Sequence, residues 1–165
     1  MVFRALTLAG GLAGAAALSQ FPEFSQQYLQ RMAGHVEELT RFVEAFDADA
    51  AALGVSREQA LTDLAQGGAI GAERAETMRQ TMIRQARLSA ALQDLRGAGP
   101  FTRAYRASAF TDTELARATL KDFKPAMPLT FEGLVFGAVG FVAGMLALSG
   151  ISAMLGRALR RRGPA

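Results

Sequence analysis

From Gly133 to Gly156 the chain runs for 24 residues without a charged side chain, and nothing else in it restricts folding so severely. As a helix this stretch is about 36 Å long, enough to cross a hydrocarbon core of ~30 Å with some tilt. Thr130 stands where an N-cap belongs, and Glu132 falls in the first turn, where the helix dipole favours negative charge. Pro125 and Pro128 break the chain just before it. The pattern predicts a transmembrane helix over 131–156, followed by a basic tail over 157–165.

A second apolar run, Ala5 to Phe21, is 17 residues long and uncharged, the lower limit for a span. Arg4 ahead of it, with Ala15 and Ala17 near its end, also fits a cleaved secretory signal. Retention is favoured because the uncharged stretch continues through Leu18 to Phe21. In addition, Thr7, Gly10, Gly14 and Ala17 share one helix face, and a signal sequence needs no packing face. Gly133, Gly137, Gly140, Gly144 and Ala147 form a matching stripe on the later helix. Small residues let backbones approach closely in lipid, where packing drives association. These faces predict a helix–helix contact, either between the two spans or with a partner. Gly137 to Gly144 is no phosphate loop, because no strand precedes it and no Lys follows in the required place.

Charge distribution sets the expected topology. The chain carries 18 Lys and Arg against 15 Asp and Glu, a net charge of +3. Residues 22–130 hold 13 basic and 14 acidic side chains, so the surplus lies at Arg4 and at Arg157, Arg160, Arg161 and Arg162. The positive-inside rule puts both clusters in the cytoplasm and residues 22–130 in the periplasm. No basic face with interleaved aromatics exists to hold nucleic acid. Sixteen of the basic residues are Arg, which together with abundant Ala and Gly suggests a GC-rich bacterial source.

Between the spans the apolar spacing is helical. Pro22 and Glu23 open a helix expected over 22–53. Met32, Val36, Leu39, Val43, Phe46, Ala50 and Leu53 give it an a/d seam, and Gly54 ends it. Ser56 opens a short helix that Gly67-Gly68 closes, and a second long helix is expected over 69–96, with Met78, Met82, Ala86, Leu88, Leu92 and Leu95 inward. Shorter helices are expected over 101–109 and 112–123, the latter capped by Thr111 or Asp112. The expected fold is all-α: two transmembrane helices, 1–21 and 131–156, flanking an extramembrane antiparallel helical hairpin within 22–130. The seam can be satisfied inside the chain or by another copy. An internal pairing of the two long helices is favoured, because their connection is long enough for reversal.

Chemistry-bearing residues are sparse. The chain has no cysteine, which excludes disulfides, thiolate metal sites and cysteine nucleophiles. His35 is the only histidine, so a triad or His-rich metal site is not expected, and a partly buried or interfacial place beside Val36 is. Glu37/Glu38 and Asp47/Asp49 point apart on a helix and form no acid pair. Phe21, Phe24, Tyr28 and Phe131 are expected as membrane-interface anchors. Phe101, Tyr105 and Phe110 are expected to pack the short helices onto the hairpin. No catalytic residue, cofactor or metal is expected.

Three stretches carry a resemblance. FPEFSQQYLQRMAGHVEEL (21–39), GPFTRAYRASAF (99–110) and KPAMPLTFEGLVFGAVGFVAG (124–144) resemble segments of an uncharacterised family of small two-span bacterial inner-membrane proteins, a domain of unknown function. The resemblance implies the two-span layout with a helical middle and supplies no catalytic residues. The expected role is non-enzymatic: an accessory subunit or scaffold that assembles, in membrane lipid, with further copies or with a larger complex. Its contacts would come from the seam and the glycine faces. The alternative is a protein binding lipid or a small apolar ligand.

Overall fold

The computed structural model of the chain describes residues 2–106, 110, 112–127 and 129–161. Seven helices follow one another: α1 (Val2–Ser19), α2 (Phe21–Ala52), α3 (Arg57–Gln66), α4 (Gly68–Leu95), α5 (Pro100–Tyr105), α6 (Thr113–Lys121) and α7 (Phe131–Arg161). No strand occurs among the described residues, so the fold is all-α as the periodicities predict.

The helix ends follow from local chemistry. Only Gln20 separates α1 from α2; its N–H donates to the Ala17 carbonyl (3.3 Å) and its carbonyl accepts from Phe24 (2.9 Å). Pro22 falls in the first turn of α2, where a missing N–H costs nothing, so the expected interruption shrinks to one residue. The far end of α2 closes in a Schellman turn. Val55 N–H reaches the Ala50 carbonyl and Gly54 N–H that of Ala51, both at 3.0 Å, with Gly54 at φ +72°. Ser56 caps α3 by accepting from Gln59 N–H (3.1 Å), and Thr130 caps α7 by accepting from Gly133 N–H (3.1 Å). Helix α7 runs on through Arg161, so the basic segment 157–161 is helical; Arg162 lies outside the described residues.

The chain forms two compact units. One contains α1, the start of α2 through Gln27, α5, the segment from Leu120 onward, and α7. Within it, α1 and α7 pack antiparallel: Gly10 meets Gly144 and Gly14 meets Gly140. Phe131–Leu155 of α7 is the one stretch among the described residues long and apolar enough to cross a membrane, and only 6% of its most apolar part is buried against the rest of the chain.

The other unit contains α2 from Tyr28, α3, α4 and α6 through Thr119. Its core joins Tyr28, Leu29 and Met32 of α2 to Leu88, Leu92 and Leu95 of α4 and Leu115 of α6. Farther along, Gln85 Nε2 donates to Thr40 Oγ1 (3.0 Å), so α2 and α4 run antiparallel and the seam is satisfied inside the chain. Val43 and Ala50 are buried, while Val36, Leu39 and Phe46 are partly covered. Leu53 lies past the end of α2 in the Schellman turn and is 78% exposed, so the seam stops at Ala50. On α4, Leu88, Leu92 and Leu95 are buried as expected, Met78 and Met82 are half-covered, and Ala86 is exposed.

Tyr28 corrects an expectation. It is not a membrane-interface anchor: it is fully buried, its ring 4.8 Å from that of Phe110. Placed one turn before Met32, it extends the seam toward the N-terminus and shares Met32's face.

Gly34, inside α2, faces open space with nothing within 4 Å of the position a Cβ would take. A glycine there carries only its backbone-entropy penalty, so Gly34→Ala should stabilise the hairpin by about 0.5–1 kcal/mol in chemical denaturation. No change, or a loss, would mean that this face is covered in solution.

Candidate functional site

The glycines singled out on α1 and α7 meet at backbone level. A Cβ on Gly14 would strike the Gly140 carbonyl oxygen, and one on Gly140 or Gly144 would strike the carbonyl oxygen of Gly14 or Gly10. One on Gly10 would lie 2.9 Å from Gly144 O. At Gly14, Gly140 and Gly144 a side chain has no rotamer to retreat into, since the obstacle is main chain, while at Gly10 the Leu148 side chain stands nearer still. Gly137 is a looser member, its would-be Cβ 3.6 Å from Ser19 Cβ, and Gly133 is buried at the start of α7. Ala17 is exposed and lies off the contact; Gly11 takes a place in it that the 3-4-3 spacing did not mark. Its would-be Cβ lies 2.7 Å from Phe141 Cε2 and 2.8 Å from Met145 Cγ. The face therefore runs Gly10, Gly14 and Leu18, a row of fours with Gly11 beside it, and it leaves the expected row at Ala17. Adjacent glycines at 10 and 11 were the available signal.

Above this contact the same unit gathers aromatic rings. Phe136 of α7 lies 5.2 Å from Phe21 of α2 and stacks on Phe101 of α5 at 5.3 Å and 17°. Phe101 also meets Phe131 edge-on at 6.5 Å, and Phe24 meets Phe123 at 5.9 Å. Phe101 thus packs on α7 and not on the hairpin as expected, Phe110 packs on Tyr28, and Tyr105 is exposed. Arg103 Nη1 donates to Gln26 Oε1 (3.0 Å), tying α5 to α2, and burial pulls its guanidinium pKa below the ordinary value. Beneath α5 lies a cavity of about 230 Å³, lined by Ser19, Glu23, Met127, Thr130 and Glu132 among others. Glu23 accepts from Gln27 Nε2 (2.8 Å), and both acids sit in the first turn of a helix, so dipoles account for their charge.

The segment leading into α7 is strapped by glutamines. Gln27 Nε2 donates to the Lys124 carbonyl (2.9 Å) and its Oε1 accepts from Lys124 N–H (3.3 Å), while Gln20 Oε1 accepts from Ala126 N–H (3.1 Å). Backbone that prolines keep out of a helix finds partners this way.

In the hairpin unit the one buried acid among the described residues is Asp112. Its Oδ1 accepts from Leu115 N–H (3.0 Å), capping α6, and Oδ2 lies 3.3 Å from Arg84 Nε and 3.4 Å from Arg87 Nη2. Arg84 also reaches Glu114 (2.7 Å). Burial alone would raise the pKa of Asp112. The Leu115 amide and the two guanidiniums together outweigh it and hold the carboxyl below the usual range. Burial, with the Asp112 charge beside it, pushes the Tyr28 phenol up. The cap was legible in the sequence, and the ion pairs were not. Arg84 and Arg87, three apart on one face of α4, were the overlooked sign.

The remaining candidates are dispersed. His35 is exposed, correcting the expectation of a partly buried place, because it points away from the Met32–Val36 side of α2. Arg4 is exposed. No group of three or more His, Cys, Asp or Glu placed to hold a metal occurs among the described residues. At the far end of the hairpin Phe46, Ala50, Leu53, Val55, Ala60 and Leu64 help to line a mostly apolar cavity of about 330 Å³.

The chain belongs to the protein family of unknown function DUF2937, whose model matches residues 2–161. No curated protein and no solved structure matches it.

Two outcomes follow from the geometry. Gly140→Leu must push the α1 and α7 backbones apart, and a loss of about 1–3 kcal/mol or more is expected in the thermal stability of the purified protein; an unshifted melting temperature would place these helices farther apart. The Asp112 contribution is complete above the ordinary aspartate pKa of ~4 and drains away as pH falls through its lower folded value. Protection of α6 amides from hydrogen exchange should therefore fall in that acid window, and Asp112→Asn, which keeps the cap but not the charge, should lower protection at neutral pH and flatten the titration.

Proposed function

We propose that this chain is a two-span protein of the bacterial cytoplasmic membrane, with both termini in the cytoplasm and a helical hairpin in the periplasm, that works as a non-enzymatic accessory subunit or scaffold. The observation carrying the reading is the antiparallel glycine contact between α1 and α7. In water such a contact buries little apolar side chain. In lipid, where backbone proximity and dispersion replace the hydrophobic effect, it is an effective way to join two helices. The contact also supports retention of α1, since a cleaved leader would leave the Gly140 and Gly144 grooves unfilled. The antiparallel arrangement brings Arg4 and the Arg157–Arg161 segment to the same end of the pair, in accord with the positive-inside rule.

Because the glycine faces are used within the chain, contacts with further copies or with a larger complex would fall elsewhere. On the hairpin unit Phe42, Ile70 and Ile83 are large, apolar and exposed, and on α7 so are Val142 and Leu146. The glycines then act one step back, by holding the span pair on which these surfaces are carried. The second reading, a protein that binds lipid or a small apolar ligand, draws support from the apolar cavity at Phe46, Leu53 and Leu64.

Native mass spectrometry of C-terminally tagged protein, extracted gently from its own membrane, tests these readings together. A full-length mass with stoichiometric protein partners is the expected result. Loss of the first ~17 residues would mark a cleaved signal and one anchor. A lone full-length monomer carrying tightly held lipid would overturn assembly in favour of ligand binding.

A further inference from the structure

The unit built on α1 and α7 exposes large apolar side chains at and beyond the Phe131 end of α7. Tyr105 at the end of α5 is 91% exposed, Met127 78%, Leu129 79% and Phe131 72%. Exposed apolar residues scattered singly need no explanation, but a set drawn from α5 and from the segment entering α7 does. Two sets of contacts hold the segments that carry them. Phe101 fixes α5 to α7 through its stack on Phe136, and the Gln27 and Gln20 straps hold Lys124 to Ala126 against α2.

The stack also sets a depth. Phe136 stands five residues into α7, about 7.5 Å along its axis from Phe131. The apolar stretch Phe131–Leu155 has 25 residues, about 37 Å of helix, roughly 7 Å more than the ~30 Å hydrocarbon core needs. If all of that excess lies at the Phe131 end, the hydrocarbon boundary falls at Phe136. If it is shared between the ends, Phe136 is inside. Phe101 meets both Phe136 and Phe131, so in either case its ring, and α5 with it, lies within a few ångströms of the level where acyl chains meet headgroups. Lys121 and Lys124, the only lysines in the chain, are exposed in this same unit. Their long apolar stems suit a layer with hydrocarbon below and phosphate above.

Resting on the membrane reading above, we propose that α5 and the residues Phe123–Met127 and Leu129–Phe131 form an interfacial collar around the emerging end of α7, with Phe101, Tyr105, Met127, Leu129 and Phe131 immersed at the headgroup–acyl boundary of the same bilayer. The occupant of this apolar surface is lipid rather than protein. α5, only six residues long and too short to be stable alone in water, gains its burial from the α7 ring stack on one side and from the bilayer on the other. The collar makes the periplasmic end of the span pair an amphipathic platform.

The absence of native cysteine allows single labels. Full-length Tyr105→Cys, Met127→Cys and Leu129→Cys variants, all at exposed positions that folding does not depend on, are labelled with a polarity-sensitive dye. They are reconstituted in vesicles of phosphatidylethanolamine and phosphatidylglycerol carrying headgroup-attached or mid-chain nitroxide lipids. Leu146→Cys reports the depth of α7 and Ala72→Cys reports water. The expected result is blue-shifted emission at 105, 127 and 129 relative to 72, quenched more by headgroup than by mid-chain nitroxide, with the reverse preference at 146. Water-like emission at 105, 127 and 129 beside deep quenching at 146 overturns the collar and leaves the membrane span standing. Blue-shifted emission at the three sites without lipid quenching, together with cross-links between copies, overturns it in favour of a protein contact. An unquenched 146 label overturns the membrane reading and the collar together.

Discussion

Where Gly14 meets Gly140, a main-chain carbonyl fills the volume a Cβ would need. That substitution of backbone for side chain sets the geometry of the whole α1–α7 unit. Dispersion falls steeply with distance, so two helices gain most by removing whatever holds their backbones apart. Four glycines at the crossing do so, and Phe141 and Met145 then close over Gly11. With α1 drawn so near, the turn at Gln20 brings Phe21 onto Phe136, and Phe101 stacks on the ring's other neighbour space. The aromatic cluster, the cavity beneath α5 and the strapped segment before α7 are consequences of that approach.

The hairpin unit solves a different problem with the opposite residues. Tyr28, Met32, Leu92 and Leu95 hold α2 and α4 apart by the width of large side chains, and the gain is burial of apolar area from water. α6 is too short to form alone, so it depends on Leu115 entering that core and on Asp112 supplying both a cap and a charge for two arginines. One chain thus contains a unit held by absent side chains and another held by large ones, a division visible in its composition as ends richer in glycine than the middle.

Much of this was legible beforehand, because helices announce themselves by period. The seam from Met32 to Ala50, the closing glycines, the Ser56 and Thr130 caps and the Pro-bounded start of α7 are local events that depend on residues a few positions apart. What could not be read required distant partners. Tyr28 stood beside an apolar junction and looked like an anchor until Phe110 and Leu115 arrived to bury it. Phe101 was assigned to the hairpin because it is near it in sequence, and it joins Phe136 instead. Gly11 was passed over since the 3-4-3 spacing selects one face, whereas a close crossing between two helices is wide enough to engage neighbours on either side of that line. Asp112 could be recognised as a cap from its position, yet its pairing with Arg84 and Arg87 depends on how α6 lies on α4.

The glutamine straps have a consequence of their own. Gln27 and Gln20 hold Lys124 and Ala126 through neutral amides, which neither titrate nor attract counterions. The start of α6, by contrast, is held by a carboxylate among guanidiniums, which responds to both acid and salt. The stretch from Asp112 to Ala126 is therefore fastened at its two ends by chemically unlike clasps. A change in the solution around the protein can loosen the first clasp and leave the second closed, so the connection into α7 keeps its grip on α2 whatever becomes of the helix before it.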